Sequence, residues 1–218
     1  MAWDMYVEAR DAAVMAGKLG WDGMAVLAPL KERHGLKAME AKGMDVSTGV
    51  IVSGKAAKVV KDARSVRRQV ELVAVEGGDP EVNRTALGTP EADMLLHPWK
   101  GRQDSGLDHV MVKLAEKNNV AVCFDFHGLL VSSRRGRVQA MNSMLEAARL
   151  VRKLKAPFII ASGAVEPYGM RSQSDLISFG RSLGFRDPEI KRAMSGRIVS
   201  ENRKRLSGKW IMPGVEVE

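Results

Sequence analysis

The sequence predicts an α/β fold built on a parallel sheet. Three observations carry this: short β-like runs alternate with helix-like stretches along the chain, several of those runs are almost continuously apolar, and the stretches between them are amphipathic. Strands covered on both faces by crossover helices read this way. Repeated strand–helix alternation favours parallel pairing.

The strand candidates are Trp3–Val7, Gly23–Leu27, Asp45–Val52, Val70–Glu76, Met94–Leu96, Val120–Phe124 and Phe158–Ala161. After Ser105, the residues Leu107, Val110, Met111, Leu114 and Ala115 follow helical spacing, with Ser105 and Asp108 as the N-terminal cap. A longer helix is expected from Gly136 to Leu154, with Val138, Met141, Leu145 and Ala148 as its apolar stripe, and Ala156-Pro157 closes it. Ser174 is expected to cap a helix that turns Leu176, Ile177 and Leu183 inward. Asp187-Pro188-Glu189 starts another, with a cap, a proline in the first turn and an acid at the positive dipole end. No Pro-, Ser- or Gly-rich linker divides the chain, so residues 1–211 are expected to form one domain, followed by a mobile tail from 212 to 218. Periodicity alone fits a closed barrel and an open doubly wound sheet equally.

The chain has 218 residues, 45% of them apolar, which suffices for one sizeable core. The 13 methionines lie mostly at apolar positions and read as core filler. A single cysteine, Cys123, excludes an intrachain disulfide and a cysteine-based zinc cluster, and its apolar neighbours place it in the core. The start of the chain lacks the basic and apolar regions of a signal peptide, and no apolar run reaches the roughly 20 residues that span a bilayer. A cytoplasmic protein without a membrane partner is expected.

Charge points to a polyanion. Lys and Arg number 34 against 26 Asp and Glu, a formal net charge of +8. Between Arg134 and Lys155 lie Arg134, Arg135, Arg137, Arg149, Arg152, Lys153 and Lys155, against the lone acid Glu146. Arg149, Arg152 and Lys153 share a helix face. Arg134, Arg135 and Arg137 sit where the helix begins, against its macrodipole, and phosphate is a better reason for them than helix stability. A second basic stretch runs from Arg186 to Lys209 and includes Arg192, Arg197, Arg203, Lys204 and Arg205; a solvated surface explains such a run better than RNA does.

The segment Asp93–His109 is the most unusual in the chain. It follows a strand and carries His97, Trp99, Lys100 and Arg102 in one loop. Loops after strand ends hold the sites of parallel α/β folds. Here the cations would hold phosphate, while Trp99 either stacks a base or packs on the rim of the fold. The four histidines, His34, His97, His109 and His127, form no HxH or HExxH pattern. His97 and His127 both follow strands, so a thin metal site with Asp4, Asp93 or Asp125 is the competing arrangement. Gly77-Gly78-Asp79-Pro80 and Ser162-Gly163-Ala164 match no phosphate-loop fingerprint and read as turns.

Leu96-His97-Pro98 and Asp104-Ser105-Gly106-Leu107-Asp108-His109 resemble the protein component 3 family of ribonuclease P, the archaeal counterpart of the eukaryotic p30 subunit. Gly77-Gly78-Asp79, Asn83-Arg84, Phe124-Asp125, Ser162-Gly163-Ala164 and Ala193-Met194-Ser195 with Ile198 support it, from about Val70 to Asn202. The resemblance implies a single-domain, TIM-barrel-like (β/α) barrel related to the metal-dependent PHP phosphoesterases. The PHP pattern opens on Asp-Leu-His-x-His; here Asp4-Met5-Tyr6-Val7-Glu8 puts Tyr6 and Glu8 in the two histidine places. The resemblance therefore implies a noncatalytic subunit holding no metal or cofactor of its own, in a particle whose RNA carries Mg²⁺ and removes the 5′ leader of precursor tRNA. The implied partners are the ribonuclease P RNA, precursor tRNA through the holoenzyme, and another small protein subunit. The residues assigned to RNA are His97, Lys100, Arg102, Arg134, Arg135, Arg137, Arg149 and Arg152. The rivals are a PHP-type metal phosphoesterase using His97, His127 and nearby aspartates, and an α/β enzyme acting on a small phosphorylated substrate.

Overall fold

The computed structural model describes residues 1–36, 43–207, 210–212 and 215–216. Seven strands run in chain order through one parallel sheet: β1 (Trp3–Val7), β2 (Gly23–Pro29), β3 (Asp45–Val52), β4 (Leu72–Glu76), β5 (Met94–Leu96), β6 (Ala121–Asp125) and β7 (Phe158–Ala161). The helices α1 (Ala13–Lys18), α2 (Ala56–Val66), α3 (Pro80–Gly88), α4 (His109–Asn118), α5 (His127–Val131) and α6 (Arg134–Leu154) lie in the crossovers between strands. After β7 come α7 (Gln173–Ser182), α8 (Asp187–Ala193) and α9 (Arg197–Leu206). Every expected strand is present, with ends moved by at most two residues.

The sheet curls into a nearly closed barrel. Its seam joins β1 to the end of β7 through Gly163 N–H to Tyr6 O at 3.0 Å and Glu8 N–H to Ala164 O at 2.8 Å. Lower in the seam a side chain replaces the ladder: Asp4 Oδ1 accepts the Ser162 N–H at 3.0 Å. Burial pushes the Asp4 carboxyl up to about 6, against the lowering effect of its bonds to Ser162. Asp4 therefore closes the barrel and is not exposed to a ligand.

Two apolar layers follow from strand alternation. Met5, Leu27, Leu72, Met94, Leu96, Cys123 and Ile159 fill the barrel interior. Val26, Val50, Val75, Leu95, Val122 and Phe124 face outward under the helices. The N-terminal end of the barrel is plugged by α9, whose Val199 joins the interior layer. Asn202 Nδ2 donates to Glu71 O and to Asp93 Oδ1, both at 2.8 Å. Arg203 donates to Glu71 and Asp45 at 2.9 Å and to Val46 O at 3.1 Å, so this member of the second basic stretch holds the plug in place. Lys209, at the end of that stretch, lies outside the described residues.

Several helix starts differ from expectation. The cap of α4 is Asp108, which accepts the Met111 N–H at 2.7 Å, and the helix begins at His109. Ser105 is buried ahead of it and gives its N–H to Glu146 Oε2 at 2.9 Å. Val112 is buried in place of Val110, which is 37% exposed. Ser172, two residues before the expected Ser174, caps α7 in a capping box with Asp175. Arg186 is the cap residue of α8, and Asp187 already lies inside that helix. In α6 the expected Ala148 is buried and Met141 and Leu145 pack partly buried against the core, joined by Met144, Ala147 and Val151, whereas Val138 is 63% exposed. Of the expected tail, residues 213, 214, 217 and 218 lie outside the described residues, while β8 (Trp210–Met212) and β9 (Val215–Glu216) pair antiparallel.

Candidate functional site

The C-terminal ends of the strands are where barrel enzymes build their sites. Here Glu76 ends β4, His97 follows β5, Asp125 ends β6, and Tyr6 and Glu8 lie at the end of β1. His97 Nδ1 stands 3.2 Å from Glu76 Oε2, and its Nε2 stands 3.1 Å from Asp125 Oδ1. Lys100 Nζ reaches the same Glu76 at 2.6 Å. Burial works to lower the His97 pKa, but Asp125 and Glu76 outweigh it and raise the imidazole to about 10. Burial likewise works to raise both acids, and the cations hold them below the usual carboxylate range. Both ring nitrogens face carboxylates, an arrangement that favours the imidazolium, and in that form the ring has no lone pair for a metal.

Tyr6, Asp125 and Asp93 are occupied in the same way, whereas His127, at the start of α5, lines the same pocket as Glu8, His97 and Asp125 with no side-chain partner among the described residues. Tyr6 Oη donates to Glu8 Oε1 at 2.6 Å, and burial, then Glu8, pushes the phenol far above its ordinary range. Asp125 Oδ2 accepts the Gly128 N–H at 2.8 Å at the start of α5. Asp93 lies at the opposite end of the barrel, where Oδ2 accepts from Arg67 at 2.6 Å and from the Val73 N–H at 2.7 Å. The two-histidine metal arrangement is therefore not assembled. No group of three or more His, Cys, Asp and Glu side chains among the described residues is disposed to hold a metal ion. Glu76 is central to this network and carries no signal in the sequence: its partners lie 21 and 24 positions away, and no local pattern announces them.

The Asp93–His109 loop is held from beneath by a second residue of this kind. Asn83 of α3 is fully buried; its Nδ2 donates to Pro98 O and Gly106 O at 2.9 Å, and its Oδ1 accepts the Gly78 N–H at 2.9 Å. Arg102 forms a two-pronged pair with Asp104 at 2.6 and 2.8 Å. Trp99 is 7% exposed and stacks on Phe124 with centroids 5.6 Å apart, so it packs on the rim and has no face for a base. His97, Lys100 and Arg102 thus spend their charge on Glu76, Asp125 and Asp104.

The arginines of α6 behave differently. Arg134, Arg135, Arg149 and Arg152 are exposed and have no ion-pair partner among the described residues. At 3.6 residues per turn they fall on the solvent side, away from Met144, Ala147 and Val151. Glu146, the one acid, is taken by the Ser105 N–H. Arg137 has a fold role instead: Nε donates to Leu129 O at 2.8 Å and Nη2 to Ser132 O at 3.3 Å, closing the C-terminus of α5. Stability therefore does account for one of the three arginines at this helix start.

The fold and this site define a class: a seven-stranded (β/α) barrel whose strand-end acids are neutralised from within and whose longest outer helix is cationic. The chain belongs to the family described as RNase P subunit p30, whose profile matches residues 3–207. It is 35% identical over 185 residues to ribonuclease P protein component 3 of Haloarcula marismortui, covering 82% of this chain and 77% of that protein. With the Methanococcoides burtonii component 3 it shares 30% identity over 213 residues, 96% of this chain and 87% of that one. Among solved structures it is similar to a chain in the cryo-EM structure of archaeal ribonuclease P with mature tRNA, with TM-score 0.85, 24% identity and coverage of 99% and 97% of the two chains. The A. niger ochratoxinase superposes with TM-score 0.61 at 11% identity over 92% of this chain and 70% of that one. At such identities the structural likenesses speak for the fold, which they match.

Proposed function

We propose that the chain is a noncatalytic protein subunit of ribonuclease P that binds the catalytic RNA and supports endonucleolytic removal of the 5′ leader from precursor tRNA. The observation that carries this is the unneutralised arginine face of α6, in a chain whose family profile runs from residue 3 to 207. Arg134 and Arg135 stand in solution without acids, at a helix start where the exposed N–H groups also favour anions. Their fork suits phosphate oxygens. Neutralising closely packed phosphates lowers the Mg²⁺ needed to fold the RNA, and that Mg²⁺ belongs to the RNA in this reading. The particle's other small protein subunit and precursor tRNA are the remaining partners.

A PHP-type phosphoesterase is not supported. Its metal would need lone pairs on a ring whose two nitrogens both face carboxylates, Glu76 and Asp125. Replacing Arg134 and Arg135 with alanine is expected to weaken binding of ribonuclease P RNA and to reduce the slope of log affinity against log salt by about 1 per arginine. Filter binding across a salt series measures this. An unchanged affinity and slope would remove the α6 start from the RNA interface.

A further inference from the structure

A second cationic surface lies at the other end of the barrel. A groove of about 670 Å³ runs between the C-terminus of α6, the start of β7, and α8 and α9. Lys155 and Arg192 stand on it with no ion-pair partner among the described residues, and Arg152 makes no ion pair but acts through space on Glu189, which lines the same groove. Arg186 and Arg197 also line it, each paired within its own helix, with Glu189 at 2.9 Å and Glu201 at 3.5 Å. Among the cations the lining carries the apolar Pro157, the half-buried Phe158 and Ile198, together with Glu116, Asn119, Glu189 and Ser195.

Helix dipoles favour cations at the ends of α6 and α8, which accounts in part for Arg152 and Arg192. The dipole of α6 also favours the charge of Lys155, but not the backbone on which it is held. Lys155 is the C-cap of α6 at φ 55°, a left-handed backbone that glycine or asparagine ordinarily takes. A lysine there is held at a conformational cost of about 1 kcal/mol relative to glycine. The side chain gained for that cost is a free ammonium at the groove.

We propose that this groove is a second RNA contact, taking an unpaired stretch of the RNA with phosphates on Arg152, Lys155 and Arg192 and a base against the Phe158–Ile198 lining. It rests on the RNA-subunit reading above and assigns that reading a further surface. The sizes agree with a bridging role: α6 has 21 residues, about 31 Å at 1.5 Å per residue, with Arg134 and Arg135 at one end and Arg152 and Lys155 at the other. One helix thus presents cations to two separate segments of RNA. Apolar side chains beside cations suit single-stranded nucleotides, whose bases are free to leave the stack.

The test uses the full chain, ribonuclease P RNA and a ten-nucleotide oligouridylate as a single-strand probe. The variants are Lys155→Gly, Arg152→Ala with Arg192→Ala, and Arg134→Ala with Arg135→Ala. Lys155→Gly is expected to keep or raise the melting temperature while binding RNA several-fold more weakly, a combination that a purely structural lysine would not give. The Arg152/Arg192 pair is expected to lose oligouridylate binding and to flatten the salt slope by about 0.7 per cation. Its effect should add to that of Arg134/Arg135, because the two ends are far apart. If the unmodified chain binds ribonuclease P RNA and the groove variants match it in affinity and salt slope, the groove proposal is overturned while the subunit reading stands. If the groove variants bind RNA normally but no longer join the particle's other protein subunit, the groove holds a protein and the proposal is likewise overturned. If the unmodified chain fails to bind the RNA, the subunit reading itself falls.

Discussion

Replacing His97 with alanine is expected to cost about 3–5 kcal/mol at pH 7, the range for removing one partner of a buried ion pair. The substitution leaves Asp125, whose side chain is 2% exposed, without its cation, and leaves Glu76, at 22%, with Lys100 alone. A domain of this size is stable by roughly 5–15 kcal/mol, so the loss is a large share of the whole. The pH dependence has a definite sign. His97 is raised from 6.5 to about 10, so the stability it contributes is fully present below 6.5 and is lost as pH rises through 10. Chemical denaturation at pH 7 and pH 10 should therefore show the gap between His97→Ala and the unmodified chain narrowing at the higher pH. Asp125→Asn in the His97→Ala background should recover part of the loss by removing the stranded charge. A gap that is constant with pH would mean that the imidazole is neutral in the fold.

Gly106→Ala is expected to be the most damaging single methyl in the loop. Gly106 sits at φ +67°, and an added Cβ would come within 1.9 Å of Pro98 O, a backbone atom that Asn83 holds in place. Neither side can yield without breaking the Asn83 bonds to Pro98 and Gly106. Left-handed strain, overpacking and at least one lost buried hydrogen bond together cost at least about 3 kcal/mol. Thermal melts should show it. Local hydrogen exchange should place the loosening at the 97–106 loop and α3. A shift of the melting temperature within a degree would show that the loop has room to move.

These two predictions show why the segment that carries the family resemblance is so distinctive. Six of its residues serve the fold. His97 forms an ion pair, Pro98 offers Asn83 an acceptor, and Asp104 clamps Arg102. Ser105 bonds Glu146, Gly106 makes the tight turn, and Asp108 caps α4. The segment is conspicuous in the sequence, but its chemistry reads there as a binding loop, because isolated histidine, lysine and arginine look free until their acids are placed. Glu76 and Asp125 come from neighbouring strands, and only barrel closure brings them to His97.

The strands are legible in the sequence because parallel strands are apolar on both faces. Their ends are less so: Val120 passes its N–H to Ala115 at the end of α4, and β6 begins one residue later. Apolar spacing in α6 includes Val138, but the core is reached only from Ala140 and Met141 onward, and Val138 stays exposed. Cap residues are ambiguous where several Ser and Asp crowd together. Geometry decides between Ser105 and Asp108, and between Ser172 and Ser174. Net charge foretells a polyanion, yet it does not separate Arg137 and Arg203, which bind backbone carbonyls, from Arg134 and Arg135, which have no ion-pair partner among the described residues.

The most direct test of a noncatalytic RNA-docking barrel is precursor tRNA cleavage across a Mg²⁺ series, by the ribonuclease P RNA and remaining subunits with and without this chain, beside the nucleic-acid-free chain alone. The account predicts that adding the chain moves cleavage to lower Mg²⁺ and that the chain alone cuts nothing. Superimposable Mg²⁺ curves, or phosphodiester cleavage by the isolated chain, would contradict it.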